Sequence, residues 1–289
     1  MRAAAALYRL RAPIFYGAAA ILLVNVIVLQ FPLAEGVRQA WATVVIAAVF
    51  ALFCSVALSY LVPKWAPVAP PAPVMTVNSP VHGRWLGMNS PATQTPSHGT
   101  RAYGQEYAID LVHEPAGVAR PAFGGSAMRG SEEYPAFGQP VLAMLDGTVV
   151  RASGWQRDHR ARSSTLGLLY LAAEGMIRQL AGPGCVVGNH VTIRGDDGVF
   201  AAVGHLRRGS LAVAVGDRVT AGSPIGECGN SGNSSEPHVH AQLMDRASLW
   251  TAQGLPMAFA GITLDDDPTP VDGLPANEQH MIATPAERC

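Results

Sequence analysis

Two histidines that lie two positions apart, His238 and His240, are the clearest candidates for chemistry in this chain. The stretch around them, 237–244, is mostly apolar and predicts a β-strand. Because successive side chains of a strand point to opposite faces, His238 and His240 project from the same face, together with Gln242. Such a pair is typical either of a metal ligand with a catalytic neighbour or of two surface histidines on a half-buried strand.

Three further residues could complete a metal centre with this pair: His98, Asp110 and His205. A catalytic zinc ion takes three protein ligands and keeps a fourth position for water. His98, Asp110 and His240 would supply those ligands, and His205 and His238 would flank the open position. Zinc activates water and polarises a carbonyl, while one neighbouring histidine can accept a proton and another can stabilise an oxyanion. Five such residues are chemically sufficient for amide hydrolysis.

The apolar residues of the chain are concentrated in its first 62 residues, although 49% of all 289 residues are hydrophobic and only 14% are charged. Two uncharged runs, at about 13–33 and 40–62, each reach the roughly 20 residues that a helix needs to cross a bilayer. They predict a membrane hairpin of two transmembrane helices over 1–62. A cleaved signal peptide is the alternative for the first run, but its length and its weak cleavage site argue against it.

Beyond the hairpin, composition divides the chain into a linker, a domain and a tail. The Pro-rich segment 63–79 predicts a semi-rigid spacer. The segment 80–264 is long enough for one domain with its own core. The segment 265–289 lacks an apolar period and predicts a disordered tail.

The pattern within the domain is mostly that of β-strands bounded by glycines. Residues 140–150 and 190–206 each read as a hairpin, whereas Leu166–Leu180 has helical spacing and predicts an inserted amphipathic helix. We therefore expect an all-β fold, an antiparallel sheet with one inserted helix. With a formal net charge of −1 and no basic patch, the chain is not expected to bind nucleic acid.

Taken in order along the chain, these motifs resemble those of the peptidase M23 family, the LytM and lysostaphin group of zinc endopeptidases. The resemblance extends from about Pro80 to Met244, and its specificity lies in the ordered combination. The matching segments are Ser97–Thr100, Tyr107–Leu111, Gly138–Val149, Gly204–Leu206, Val215–Gly226, Gly229–Gly232 and Pro237–His240.

The resemblance implies an antiparallel β core of the M23 type, with zinc bound in a groove by His98, Asp110 and His240. It implies that His205 and His238 are catalytic. The function that follows is that of a membrane-anchored zinc metalloendopeptidase, which hydrolyses cross-bridges or stem peptides of bacterial peptidoglycan by metal-activated water. The alternative is a catalytically inactive M23-like module that binds cell-wall peptide or regulates another hydrolase. Retention of all five residues favours the enzyme.

The first zinc ligand has a rival in Glu106. Family members commonly place the first histidine four residues before the aspartate, whereas His98 precedes Asp110 by twelve. Glu106 occupies the four-residue position, and a glutamate can bind zinc. We favour His98, because a longer-spaced Ser-His-Gly-Thr ahead of Tyr-Ala-Ile-Asp is also similar to a branch of the family.

A peptidoglycan substrate implies a cell-membrane protein whose domain lies on the extracytoplasmic side, where Cys185 and Cys228 could form a disulfide. The basic residues around the spans indicate the opposite orientation. Arg9 and Arg11 precede the first span and Lys64 follows the second, which by the positive-inside rule places both ends in the cytoplasm. The sequence leaves this conflict open.

Overall fold

A computed structural model of the chain describes residues 2–65, 73–126 and 128–284. The chain divides into two compact units, Met1–Pro71 and Ala72–Cys289. The segment expected to be a linker, 63–79, is divided between elements at both of its ends. Residues 63–65 belong to the last helix of the first unit and 75–77 form the first strand of the second, while 66–72 lie outside the described residues.

The first unit is a pair of apolar helices, α1 (Arg2–Val28) and α2 (Glu35–Trp65). Within them, Leu7–Val28 and Glu35–Ser59 are long and apolar enough to cross a membrane. The Trp41 indole donates a hydrogen bond of 2.8 Å to the Asn25 side-chain oxygen and so joins the two helices. The two apolar helices predicted from the sequence are present, with a connection shorter than either.

The second unit is built on β-strands. The strands are β1 (Met75–Val77), β2 (Gly83–Met88), β3 (Ile109–His113), β4 (Pro140–Leu142), β5 (Gly147–Ser153), β6 (Asn189–Gly195), β7 (Phe200–Leu206), β8 (Arg218–Val219), β9 (Pro224–Glu227), β10 (Val239–Met244), β11 (Gly254–Leu255), β12 (Met257–Leu264), β13 (Asp267–Gly273) and β14 (His280–Ala283). The large sheet has the order β1-β12-β14-β2-β3-β10-β7-β6-β5-β8, with β11 beside β10 and β13 beside β12; β4 and β9 form a second sheet. Except for the parallel pair β1–β12, the described ladders are antiparallel.

The two faces of the central strands differ in chemistry. On β3, Ile109 and Leu111 point into the main core, and Asp110 between them points to the other face. On β10, Ala241 and Leu243 enter the same core, which leaves the polar residues of that strand on the face of Asp110. The alternation therefore gathers the polar side chains of neighbouring strands on one side of the sheet.

In the described part of the second unit, one long helix and three short ones accompany the strands. The long helix, α3 (Thr165–Ala181), begins at Ser164, whose hydroxyl accepts a hydrogen bond from the Gly167 amide. A five-residue helix, α4 (Pro183–Val187), leads into β6, and 3-10 helices occur at Ala102–Tyr107 and Ser131–Glu133. The predicted fold class, an antiparallel β core with an inserted helix after two apolar helices, is confirmed.

One of the two predicted hairpins is wrong. The hairpin expected over 190–206 is present, since β6 pairs with β7. The hairpin expected over 140–150 is absent, because β4 pairs with β9, whereas β5 pairs with β6 and β8. The turn residues Asp146 and Gly147 thus carry the chain from one sheet to another.

The tail also differs from its prediction of disorder over 265–289, since the described part forms strands. β13 pairs with β12, and β14 lies between β12 and β2. Met281 on β14 is fully buried in the main core. A tight turn at Asp265 connects β12 to β13, and the Asp265 carboxylate accepts hydrogen bonds from the His280 amide and the Gln279 side chain. Residues 285–289 lie outside the described residues.

Candidate metal and catalytic site

Three side chains from three parts of the second unit converge on the polar face of the sheet. Asp110 on β3 lies directly opposite His240 on β10, and His98 approaches from the loop before the 3-10 helix. His98 Nε2 is 3.1 Å from Asp110 Oδ2, and His240 Nδ1 is 2.8 Å from Asp110 Oδ1. The ligand atoms of the three residues all lie within 4.8 Å of one another.

The neighbours of His98 determine which of its nitrogens carries the proton. The Ser97 hydroxyl donates its single proton to the Gln105 carbonyl oxygen at 3.1 Å. At His98 Nδ1, 3.0 Å away, the same hydroxyl therefore acts as an acceptor. In neutral His98 the proton then lies on Nδ1, and the lone pair of Nε2 faces Asp110.

His240 is fixed in the opposite tautomer. The Gln242 side-chain amide donates to the Tyr103 carbonyl oxygen at 2.9 Å, which turns its own oxygen toward His240 Nε2 at 2.8 Å. His240 Nε2 therefore carries the proton, and the lone pair of Nδ1 faces Asp110. Outer contacts of this kind orient the ligands of metal sites.

This donor set fits a zinc ion. Two imidazole lone pairs and a carboxylate face one another, an arrangement that a cation stabilises and that mutual repulsion would otherwise oppose. Two histidines and one aspartate are ligands that zinc uses in catalytic sites. A further hydrogen bond of 2.8 Å from the Asn89 side-chain amide holds Asp110 Oδ2.

The electrostatics of Asp110 keep it in the ionised form that a metal requires. Burial alone raises the pKa of this carboxyl. The charges of His98 and His238, with a hydrogen bond from His238, outweigh burial and hold the pKa well below its usual value.

His205 and His238 lie beside this cluster with their rings in contact, at a centroid distance of 4.6 Å. His205 Nδ1 donates to the Ser231 carbonyl oxygen, and His238 Nδ1 donates to the Glu236 carbonyl oxygen, each at 2.8 Å. Both rings therefore turn Nε2 away from the loop, and His238 Nε2 is 3.5 Å from Asp110 Oδ1.

The backbone at His205 is in the left-handed region, with φ of 58°. A non-glycine residue adopts this conformation at a cost, and such strain concentrates at functional sites. Gly204 before it allows close packing, since a Cβ there would be 2.7 Å from Val187 Cγ1. The left-handed backbone near the end of β7 thus directs the His205 ring toward the 229–236 loop.

Burial affects the two rings in different ways. It lowers the pKa of His205 well below the usual value, and repulsion from His238 and His240 adds to this. Burial also lowers the pKa of His238, but the nearby Asp110 carboxylate outweighs it and the net pKa is raised. The site thus contains one histidine that is neutral at neutral pH and a second that is more basic.

Glu106, the rival to His98, lies outside the cluster. Its carboxylate pairs with Arg101, with Oε1 2.7 Å from Nε. Among the described residues, the group that could hold a metal ion consists of His98, Asp110 and His240. Cys185 and Cys228, which could have formed a disulfide, are both free thiols.

One network around the site had no signal in the sequence. Arg120 forms ion pairs with Glu236 (2.7 Å) and Glu114 (3.0 Å), and Glu236 carries the carbonyl that orients His238. Arg120 lies in a loop, and no spacing in the sequence links it to Glu236. By contrast, Gln242 lies on the same face of the predicted strand as His240. Its position beside the His240 ring could therefore have been predicted from the sequence.

Comparison with known proteins confirms the resemblance to peptidase family M23, whose family model matches residues 129–251. The matched segment includes His205, His238 and His240, whereas His98 and Asp110 precede it. Among solved structures, the chain is similar to the catalytic domain of lysostaphin from Staphylococcus simulans, at 20% identity and TM-score 0.32, over 60% of this chain and 88% of that one.

Two further solved structures are similar to the chain. The M23 metalloprotease pseudoalterin from the deep sea shares 16% identity at TM-score 0.36, over 68% of this chain and 86% of that one. Lysostaphin itself shares 23% identity at TM-score 0.30, over 54% of this chain and 45% of that one. At these TM-scores the likenesses do not bear on function.

Proposed function

Since residues 129–251 carry the sequence pattern of peptidase family M23, we propose that the protein is a zinc metalloendopeptidase that hydrolyses peptides of bacterial peptidoglycan. The observation that carries this proposal is the convergence of three ligand atoms within 4.8 Å beside two further histidines of fixed orientation. A module that only bound peptide would have no need for all five groups in this arrangement.

His98 through Nε2, Asp110 through a carboxylate oxygen and His240 through Nδ1 would hold the zinc ion. When bound, zinc lowers the pKa of a water molecule and polarises the carbonyl of the scissile bond. Ser97 and Gln242 keep the two imidazoles in the tautomers that binding requires. The Asn89 side-chain amide donates a hydrogen bond to Asp110 Oδ2 and so orients the carboxylate.

His205 and His238 would act on the substrate. The neutral ring of His205 presents the Nε2 lone pair and can accept a proton from the attacking water. The more basic ring of His238 can donate from Nε2 to the oxygen that becomes negative as the peptide bond is attacked. Both roles require the Nδ1 hydrogen bonds to the 229–236 loop, since these fix which nitrogen faces the groove.

The substrate and the location rest on the resemblance. Peptidases of this family act on peptidoglycan peptides, and α1 and α2 would anchor the domain in the cell membrane. A peptidoglycan substrate requires the domain to lie on the extracytoplasmic side, against the orientation that the basic residues indicate. A reporter fused after Leu264 would interrupt β13 and β14, so one fused after Cys289 is the appropriate test of sidedness.

The test of the proposed function combines metal content with hydrolysis of purified peptidoglycan by the full chain in detergent. We expect about one zinc per chain, in line with one such ligand group. His240→Ala is expected to lose both zinc and hydrolysis, and His205→Ala to keep the metal but lose rate. A wild-type chain that holds zinc and binds peptidoglycan without cleaving it would contradict the proposal and support the inactive module.

A second comparison distinguishes the two candidates for the first ligand. His98→Ala is expected to lose zinc, because its Nε2 faces Asp110. Glu106→Ala is expected to keep zinc, because the Glu106 carboxylate is engaged by Arg101. Zinc loss in Glu106→Ala with retention in His98→Ala would reverse the assignment.

A further inference from the structure

The inserted helix α3 is amphipathic, but its apolar face points to solvent. Six large apolar residues are between 48% and 73% exposed: Leu166, Leu169, Tyr170, Met176, Ile177 and Leu180. Their spacing of three and four residues places them in one stripe along the helix. An amphipathic helix of a soluble domain normally turns such a stripe toward the core, so α3 is inverted.

The face that α3 turns toward the domain carries both charged residues of the helix, two buried glycines and the half-buried Leu171. Glu174 pairs with the buried Arg162 and with Arg178, at 3.2 and 2.8 Å. Gly167 and Gly175 are also buried on this side, and a Cβ at Gly175 would be 2.9 Å from Asn233 Oδ1. An ion-pair network and the close approach of the helix backbone to the domain thus hold the inner face of α3. Because the inner face is fixed in this way, the apolar stripe must face outward.

The outer face carries no charge. Within Thr165–Ala181, all of it described by the structure, Glu174 and Arg178 are the charged residues, and both are engaged on the inner side. Tyr170 stacks against the Arg162 guanidinium at the edge of the stripe. The exposed Trp155 shares a surface pocket with Ala181 at the end of α3. Tyr and Trp are the residues enriched where a protein meets the lipid–water boundary.

We infer that the outer face of α3 docks on the lipid bilayer, an inference that rests on the membrane anchoring within the proposed function. Nine residues, 66–74, separate the end of α2 from the start of β1. Fully extended, they reach only about 30 Å. A domain held this close meets the bilayer surface far more often than it meets a soluble partner.

The dimensions of α3 fit a helix that lies along the surface. At 17 residues it is about 25 Å long, too short to span with one side packed on the domain. Burial of an uncharged stripe in the boundary between headgroups and acyl chains needs no anionic lipid. Since Gly175 of α3 lies close to Asn233 in the loop that orients His205 and His238, docking would set the direction in which the candidate site faces.

The test places a nitroxide label on Ile177→Cys in the full chain, reconstituted in phosphatidylcholine vesicles, with Cys54, Cys185 and Cys289 changed to Ala. Val215→Cys, at a position similarly exposed at 63% against 69%, is the matched control on a turn between strands. We expect the label at 177 to collide with oxygen more than with a water-soluble nickel chelate, and the label at 215 to show the reverse.

A label at 177 as accessible to the nickel chelate as the one at 215 would overturn the inference. Spin–spin broadening at 177 would also overturn it, because it would identify a second copy as the occupant. A label on Phe50→Cys in α2 reports separately whether the spans insert. A paired change, Leu166→Glu with Leu169→Glu, should return the label at 177 to water while zinc content stays unchanged, which separates this outcome from failure of the proposed function.

Discussion

The strand β10 and the helix α3 are both amphipathic, yet they relate to the core in opposite ways. On β10, Ala241 and Leu243 enter the core, and His240 and Gln242 face the candidate metal site on the other side. On α3, the charged residues face the domain and the apolar stripe faces outward. Periodicity thus identifies the two faces of an element, but the partner of each face depends on what the rest of the molecule offers.

The largest difference between β10 and α3 is expected in the free energy of unfolding when one leucine of each is changed to alanine. Leu243→Ala removes a fully buried side chain from the inner face of β10 and is expected to lower the free energy of unfolding by about 2–5 kcal/mol. Leu169→Ala, on the outer face of α3, should change it by no more than about 0.5 kcal/mol. Denaturant unfolding of the full chain in detergent, followed by near-UV circular dichroism, measures both. Equal losses would mean that the stripe of α3 is packed within the protein.

A smaller effect is expected from the polar face of α3. Glu174→Ala leaves the buried Arg162 without its carboxylate partner and is expected to lower the free energy of unfolding by about 1–3 kcal/mol. The matched control is Asp196→Ala, which breaks an exposed ion pair with Arg218 and should cost less than about 1 kcal/mol. The same unfolding measurement serves here. If Asp196→Ala proved the more costly, the network would not be what holds α3 inverted.

An effect of similar size, but on metal affinity, is expected for the polar face of β10. Gln242→Leu removes the acceptor that fixes the His240 tautomer and is expected to weaken zinc binding by about 10–100-fold. Gln139→Leu, at a glutamine that donates to the Pro135 carbonyl oxygen, is the control and should leave zinc affinity unchanged. Competition with a chelator measures both affinities. An unaltered affinity in Gln242→Leu would remove that residue from the support of the site.

The parts of the fold that were predictable are those set by local alternation. The period of two around His238 and His240 indicated the site face of β10, and the helical spacing of 166–180 located α3. The motifs gathered His98, Asp110 and His240 as candidates from distant positions. In each case the residues carry the information within one element or one motif.

The parts that were missed depend on partners far away in sequence. β4 pairs with β9 rather than with its neighbour, and the polar segment 265–284 pairs with β12 and β2 because those strands present open edges. The outward direction of α3 depends on Arg162, which precedes the helix and matches Glu174 within it. The histidine tautomers depend on single hydrogen bonds, which no residue pattern reports.

The position of β14 has a consequence for Asp110, which lies far from it in the sequence. Among the described strands, β14 joins β12 to β2. In the loop before β14, the Asn277 side-chain oxygen accepts a hydrogen bond from the Ser90 amide, next to the Asn89 that holds Asp110. The surroundings of Asp110 thus depend on a contact between residues 187 positions apart. A change that displaces β14 would therefore disturb the candidate metal site without altering any of its ligands.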